Sequence, residues 1–197
     1  MIKLEKHQDA EALIFDLDGT LSDSLPVHLE TWNKVCAHYG CKFDAGMIEE
    51  LTGMPTIQFA YRIIEDNQMT GVDPEEMVKM KQRIFWESLE NLKPHLPVVN
   101  LAHQYHGKIP MAVGTGANRK SAELQLKALD IYDLFDAIVT ADDVTAHKPE
   151  PHTFLRCAEL VKVDPGKCHV YEDGILGMQA AKSAGMFLTD VRPFLIN

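Results

Sequence analysis

Short apolar runs alternate with amphipathic stretches along the second half of the chain. From residue 94 onward, helical patterns are separated by strand-like runs, which lie at residues 111–113, 137–139, 169–171 and 187–189. Strands that alternate with helices are typical of a parallel sheet with right-handed crossovers. A further apolar run, from Ala12 to Phe15, is predicted to be the first strand. The pattern therefore predicts an α/β fold.

Residues 27–93 interrupt this alternation, because the pattern there is helical throughout. The predicted helices of this block cover residues 26–39, 45–51, 56–67 and 73–91. Roughly seventy residues of helix thus separate the first strand from the others, a gap far longer than ordinary connections. We therefore expect an α/β core made of residues 1–26 and 94–197, and a small helical cap made of residues 27–93. The hinges should lie near residues 22–26 and 91–97.

Composition limits the kind of partner. The 197 residues include 29 acidic and 19 basic side chains, which gives a formal net charge of −10. Nucleic acids and anionic membranes favour a basic surface, so neither is expected as a main partner. The stretch from Met1 to His7 has no apolar signal core and no run approaches membrane-spanning length, which predicts a cytoplasmic protein. The four cysteines lack metal-site spacing, so we expect reduced thiols.

Two carboxylates directly follow the first predicted strand. Asp16 and Asp18 are two residues apart, so their side chains would share one face if extended geometry continued through Asp18. Open α/β sheets bind ligands at this carboxyl edge. One carboxylate can attack phosphorus while the other transfers protons, and a phosphate dianion beside both calls for a divalent cation such as Mg2+. A strand followed by an ordinary Asp-Gly turn is the alternative.

Three further sites lie where later core strands end or just beyond. Thr115 and Gly116 precede a helix whose N-terminus and backbone N–H groups suit a phosphate. Lys148 lies in a loop that flanking prolines stiffen, and Glu172 with Asp173 follows another strand. Each site alone also has an ordinary interpretation: a glycine turn at Thr115 and Gly116, a solvated lysine at Lys148 and a solvated acidic turn at Glu172 and Asp173. The prediction of a phosphate site therefore depends on their combination.

Four sites, taken in order along nearly the whole chain, resemble the four motifs of the haloacid dehalogenase-like (HAD) hydrolase superfamily. The residues that resemble them are Asp16, Asp18, Thr115, Lys148, Glu172 and Asp173. The helical insertion directly after the first motif is similar to the cap of the β-phosphoglucomutase-like subfamily. The resemblance implies a Rossmann-like parallel sheet with helices on both faces, an inserted α-helical cap, Mg2+, and a small-molecule phosphate monoester as substrate. We expect a monomer or a weak dimer.

The resemblance also implies the roles of the acidic residues. Asp16 would be the nucleophile that becomes an aspartyl phosphate, and it would also ligate Mg2+. Asp18 would be the general acid and base, with its backbone carbonyl as a second ligand. Asp173 would be the remaining protein ligand, while Glu172 would be either a ligand or an acceptor behind the ligands. An Asp at position 18 separates phosphatases and phosphomutases from dehalogenases and ATPases of this superfamily.

The remaining core residues of the resemblance would bind the phosphate. Thr115 and the backbone of Gly116 would hold the oxygens of the transferring phosphoryl group, with Ala117 and Asn118 beside them. Lys148 would neutralise the nucleophile and the phosphate and would stabilise charge in the transition state.

Two residues near the first hinge match positions of the subfamily. Ser24 and His28 would lie where the cap meets the core. His28 is expected either to bind substrate or to orient Asp18, and a packing role on its helix is the alternative.

The predicted cap loop departs from the mutase pattern. Thr52, Gly53 and Met54 resemble the loop that reaches the substrate's leaving group. A lysine before this glycine and an arginine three residues after it would hold a second phosphate in a mutase, whereas this chain has Thr52 and Thr56. Charge-assisted contacts contribute about 1.5–3 kcal/mol each to binding, so without these two cations a second phosphate would be held more weakly. Water is then the favoured acceptor of the phosphoryl group.

These observations favour an Mg2+-dependent phosphatase of small sugar phosphates, such as fructose 1-phosphate or sugar-acid phosphates. The loop and motifs are similar to those of bacterial fructose-1-phosphatase-like proteins. A β-phosphoglucomutase-type hexose phosphomutase is the alternative. A phospho-acceptor signalling module is a third possibility, against which the cap and Asp18 argue.

Overall fold

Five parallel strands form the centre of the molecule. The computed structural model describes residues 4–195, so the first three residues of the N-terminal stretch and residues 196–197 lie outside it. The strands are β1 Ala12–Phe15, β2 Met111–Gly114, β3 Ala137–Val139, β4 Cys168–Glu172 and β5 Phe187–Asp190. Their order in the sheet is β3-β2-β1-β4-β5, and every neighbouring pair is parallel. The carboxyl end of β1 therefore lies between those of β2 and β4.

Helices account for most of the remaining described chain. They are α1 Leu25–Tyr39, α2 Gly46–Leu51, α3 Thr56–Asp66, α4 Pro74–Glu87, α5 Leu96–Tyr105, α6 Arg119–Ala128, α7 His152–Val161, α8 Ile175–Ser183 and α9 Arg192–Leu195. Within residues 4–195, none of these helices is long and apolar enough to cross a membrane. The four cysteines, all in this range, are free thiols.

Helices cover both faces of the sheet, as predicted. Successive residues of β1 point to opposite faces, so Leu13 and Phe15 pack with residues of α5 and α6, whereas Ala12 and Ile14 pack with residues of α7 and α8. All four β1 side chains are fully buried. A run of four apolar residues, buried on both faces of the sheet, therefore fixes β1 in the middle of the core and places its end over the centre of the sheet edge.

The helical block between β1 and β2 forms the expected cap. Its own apolar cluster includes Trp32, Phe59, Ile63 and Met77 from α1, α3 and α4. The helix predicted to reach residue 91 ends earlier, because the Ser88 hydroxyl donates to the Ile84 carbonyl at 2.9 Å and a short 3-10 turn follows.

The segments that enter and leave the cap lie side by side. The Asp23 backbone N–H donates to the Lys93 carbonyl at 2.8 Å, and Ser22 pairs with Pro94 in an antiparallel bridge. The expected hinges therefore lie together in the structure. The domain division at residues 26 and 94 stays a prediction.

Substitution of the central strand should destabilise the whole protein. We expect Ile14→Ala to lower the free energy of unfolding by about 2–5 kcal/mol, because the lost side chain is fully buried and leaves a cavity. Urea unfolding followed by circular dichroism measures this change. Tyr61→Ala is the control, because Tyr61 is 53% exposed and should change the value by less than about 0.5 kcal/mol. Equal effects of the two substitutions would contradict the assignment of Ile14 to the core.

Candidate active site

Asp16 lies at the end of β1, over the carboxyl edge of the sheet. Its backbone N–H donates to the Tyr171 carbonyl on β4 at 3.0 Å, which continues the sheet contact one residue beyond the strand. The side chain is buried, and Oδ1 accepts a hydrogen bond from Lys148 Nζ at 2.6 Å. The other oxygen, Oδ2, is also buried and has no hydrogen-bond partner among the described residues. One oxygen of Asp16 is thus held while the other is left available.

A buried acidic cluster surrounds Asp16. Single carboxylate oxygens of Asp16, Glu172 and Asp173 lie within 4.8 Å of one another. Thr20 Oγ1 donates to Asp173 Oδ1 at 2.7 Å. Burial, together with the charge of Glu172, raises the pKa of Asp173 to about 7. Burial also raises the pKa of Asp16, although Lys148 opposes this effect. The cluster therefore carries more carboxylates than the nearby cation compensates, and a divalent metal ion would fit it.

Lys148 connects two members of this cluster. Its ammonium group donates to Asp16 Oδ1 at 2.6 Å and to Glu172 Oε1 at 2.8 Å, and the side chain is fully buried. Burial alone lowers the pKa of Lys148, but the two carboxylates raise it above its ordinary value, so the amine is charged. An added Cβ at Gly177 would lie 1.5 Å from Glu172 Oε1, so a side chain there would displace Glu172.

Asp18 is held by groups from the hinge and the cap. Its Oδ1 accepts from Ser24 Oγ at 2.6 Å and lies 2.8 Å from His28 Nε2 on α1. Lys81 Nζ on α4 lies 2.8 Å from His28 Nδ1. An ammonium group only donates and a carboxylate only accepts, so His28 is the tautomer with its proton on Nε2.

This chain of contacts sets the charge of Asp18. Burial alone raises the pKa of Asp18, but His28, Ser24 and Lys81 outweigh burial and hold that pKa well below its usual range. Burial and the neighbouring Lys81 lower the pKa of His28, so the imidazole is neutral. His28 thus contacts Asp18, but it also lines the cavity and stacks on the Phe85 ring, so its role stays a prediction.

Lys81 is a site residue that the sequence analysis missed. It is buried, and burial lowers its pKa to about 8 although the charge of Asp18 opposes this. Its ammonium group lies 4.6 Å from the centre of the Phe85 ring. Met77, Lys81 and Phe85 are spaced by four residues and share the buried face of α4. A lysine among these apolar positions is the sequence feature that could have identified Lys81 as a site residue.

The predicted phosphate loop follows β2. Thr115 is buried, and its Oγ1 accepts from the Ala117 backbone N–H at 3.0 Å. Asn118 caps α6, because its side-chain oxygen accepts from the Ser121 N–H at 2.8 Å. This cap starts the helix at Arg119. The backbone of the loop and the N-terminus of α6 thus meet beside Asp16.

The cap loop closes over this phosphate loop. A Cβ on Gly116 would lie 2.2 Å from the Gly53 carbonyl oxygen, so the two backbones touch where neither has a side chain. The Thr52 hydroxyl donates to the Ile48 carbonyl of α2. Thr52, Gly53 and Met54 all line the same cavity as the core residues.

One cavity of about 60 Å³ brings most of the predicted residues together. Those that line it are Asp16, Asp18, His28, Thr52, Gly53, Met54, Thr115, Gly116 and Ala117. Lys148 and Glu172 lie behind Asp16, Ser24 lies behind Asp18, and Asp173 and Asn118 are outside the lining. Gln125 also lines the cavity, although the sequence analysis did not predict it. Its position could have indicated this role, because it is a polar residue between Ala122 and Leu126 on the buried face of α6.

Known proteins are similar to this chain along most of its length. Residues 13–191 match the model of the haloacid dehalogenase-like hydrolase family. A fructose-1-phosphate phosphatase of Escherichia coli is 43% identical over 180 residues, which cover 91% of this chain and 95% of that protein. A phosphorylated carbohydrates phosphatase of Thermotoga maritima is 30% identical, with 89% of this chain and 82% of that protein covered.

A solved structure shows the same fold. The crystal structure of a β-phosphoglucomutase from Clostridium difficile superimposes with a TM-score of 0.79 at 29% identity, with 91% of this chain and 83% of that chain covered. The match includes both the sheet and the helical cap. The chain is therefore an enzyme of the haloacid dehalogenase-like hydrolase family, of the phosphatase type and of the subfamily that includes β-phosphoglucomutase.

Proposed function

We propose that this enzyme is an Mg2+-dependent phosphatase that hydrolyses small sugar phosphates through an aspartyl phosphate on Asp16. The observation that carries the proposal is that Asp16 and Asp18 line one cavity, with Asp16 beside charged Lys148 and Asp18 bonded to the cap through His28. The names of the two phosphatases above support fructose 1-phosphate or a related phosphorylated carbohydrate, and a sugar-acid phosphate belongs to the same class.

Asp16 and Asp18 divide the chemistry of two half-reactions. A carboxylate oxygen of Asp16 attacks phosphorus, the phosphorus–oxygen ester bond breaks, and Asp18 gives a proton to the leaving sugar oxygen. Ionised Asp18 then takes a proton from the water that attacks the aspartyl phosphate, and inorganic phosphate leaves. Asp18 ends the second half-reaction protonated, which restores the acid for the first step of the next turnover. Its neighbours lower its pKa in the free site, whereas a phosphate dianion beside it raises that pKa.

The acidic cluster provides the ligands for Mg2+. Asp16 Oδ2 is buried and unpartnered among the described residues, and Asp173 lies beside it, so both fit as ligands together with the Asp18 carbonyl. Both Glu172 oxygens already accept, from Lys148 and from the Gly174 N–H, which supports a role behind the ligands. When bound, Mg2+ neutralises the carboxylates and the phosphate.

The cap loop supports water as the phosphoryl acceptor. Thr52 lines the cavity and bonds within the cap, and Thr56 lines the cavity as well. No cation of this loop is therefore available for a second phosphate. The likeness to a β-phosphoglucomutase keeps the mutase as the second candidate. An enclosing cap and a proton-transferring Asp18 argue against a signalling module.

The cap must open for each turnover. The Gly116 and Gly53 backbones are in contact, so the cap loop closes over the phosphate loop and has to move away for a sugar phosphate to enter. We also propose that the enzyme acts in the cytoplasm as a monomer or a weak dimer. Its net charge of −10 does not favour a nucleic acid or an anionic membrane as a partner.

Asp16→Asn should abolish phosphate release. We expect the rate of inorganic phosphate release from fructose 1-phosphate with Mg2+ to fall by roughly 10³-fold or more, because an amide cannot act as the nucleophile. Asp9→Asn, at an exposed position, is the control and should keep wild-type activity. An isomerised phosphosugar without free phosphate would support the mutase. Wild-type activity in Asp16→Asn would exclude Asp16 as the nucleophile.

Mg2+ should stabilise the folded protein through Asp173. At 100 times its dissociation constant, a ligand adds about 2.7 kcal/mol to the free energy of unfolding. We expect a rise in Tm with Mg2+ that is larger at pH 7.5 than at pH 5.5, because protons compete for a carboxyl whose pKa is about 7. Scanning fluorimetry measures this shift. Asp173→Asn should lose it and Asp9→Asn should keep it, whereas equal shifts in both variants would rule out this metal site.

Lys81 should make stability depend on pH. Its pKa is about 8 in the folded protein and 10.5 ordinarily, so between these values the unfolded chain binds more protons. The free energy of unfolding of the wild type should therefore rise with pH across this window, by about 1–3 kcal/mol. Urea unfolding at pH 7.5, 9 and 10.5 measures the rise.

Lys81→Met should lose this rise and also reduce kcat, because His28 and Asp18 lose their partner on the cap. Lys79→Met is the matched control on the same helix, since the Lys79 side chain is 65% exposed. That variant should keep the wild-type pH profile and activity. An unchanged profile in Lys81→Met would show that Lys81 is not buried as a charge.

A further inference from the structure

Gln125 is buried without a partner for its amide. The residue is fully buried on α6, and neither Nε2 nor Oε1 forms a hydrogen bond within residues 4–195. Buried amides are normally paired, because losing water without gaining another partner is unfavourable. Packing alone does not explain an unpaired buried amide, whereas a ligand that pairs with it would.

The amide belongs to the cavity of the proposed active site. Gln125 and Asp16 both line it, and each has a buried polar atom without a partner among the described residues. Asp16 lies at the phosphate end, whereas Gln125 lies six residues beyond the first residue of α6. With a rise of 1.5 Å per residue, its backbone lies about 9 Å along the helix from Arg119, and its side chain leans back towards that end. Gln125 therefore lies away from the phosphate loop but lines the same cavity.

Polar neighbours in the same cavity differ from Gln125, because they already have hydrogen-bond partners. Ser121, one turn earlier on α6, also lines the cavity, but its Oγ accepts from Trp86 Nε1 of the cap at 2.9 Å. Phe85 of α4 contributes an apolar wall. Lys81 is already bonded to His28. A ligand that reaches this end therefore meets one unpaired donor and one unpaired acceptor on a single side chain.

We propose that Gln125 is a specificity residue that binds two hydroxyl groups at the end of the substrate remote from its phosphate. Oε1 accepts from one hydroxyl and Nε2 donates to the other, as suits adjacent hydroxyls of a sugar or polyol. The inference rests on the proposed phosphatase activity, and it states that the cavity selects phosphate esters with hydroxyl groups at this end. A site built around such bonds rejects a ligand without the hydroxyls, because its own buried groups then stay unpaired.

Gln125→Leu tests this proposal, because it keeps a similar volume and removes both polar atoms. We expect kcat/KM for fructose 1-phosphate and other phosphosugars to fall by about tenfold or more, since two hydrogen bonds to the substrate are lost. The inhibition constant of inorganic phosphate, which occupies only the phosphate end, should stay within about twofold of wild type. The Tm should not fall, because the substitution removes two unpaired buried atoms.

Gln104→Leu, at an exposed position on α5, is the matched control and should leave both constants unchanged. Unchanged kcat/KM for every phosphosugar in Gln125→Leu would overturn the proposal. So would equal losses in phosphosugar turnover and phosphate inhibition, because they would indicate general damage to the site. Absence of phosphate release from any ester by the wild type would instead contradict the proposed phosphatase function.

Discussion

The buried contact of Lys148 with Asp16 and Glu172 is the interaction on which the site depends. Parallel strands bring carboxylates from β1 and β4 to one edge of the sheet, where water is excluded and like charges repel. Lys148 compensates part of this charge and fixes one oxygen of Asp16, so the other oxygen is left free. The remaining excess of negative charge would favour a divalent cation at this site.

Asp18 is only two residues from Asp16, but its environment lowers its pKa whereas that of Asp16 is raised. Ser24 and His28 hold one of its oxygens, and Lys81 extends this contact into α4 of the cap. The charge of Asp18, the proposed acid and base, is therefore set by hinge and cap residues, whereas that of Asp16, the proposed nucleophile, is set by core residues. With these roles, closure of the cap would be coupled to proton transfer through these hydrogen bonds.

The sequence predicts the fold and the core of the site well, because both arise from local patterns. The apolar run before Asp16 and the alternation of helices and strands determine the sheet and bring the four motifs to one edge. Lys81 and Gln125 escaped prediction because their importance comes from tertiary packing of α4 and α6 around the cavity. The early end of α4 also depends on one bond, from Ser88 back to Ile84, which helix periodicity does not reveal.

The paired segments at the base of the cap constrain how it can move. Because Asp23 bonds to Lys93 and Ser22 bridges to Pro94, the incoming and outgoing chains are tied together where they cross between the two units. If the cap opens as proposed, this paired connection would let it turn about the crossing but would oppose sliding across the core. His28 and Lys81 would then return to the same positions each time the cap closes.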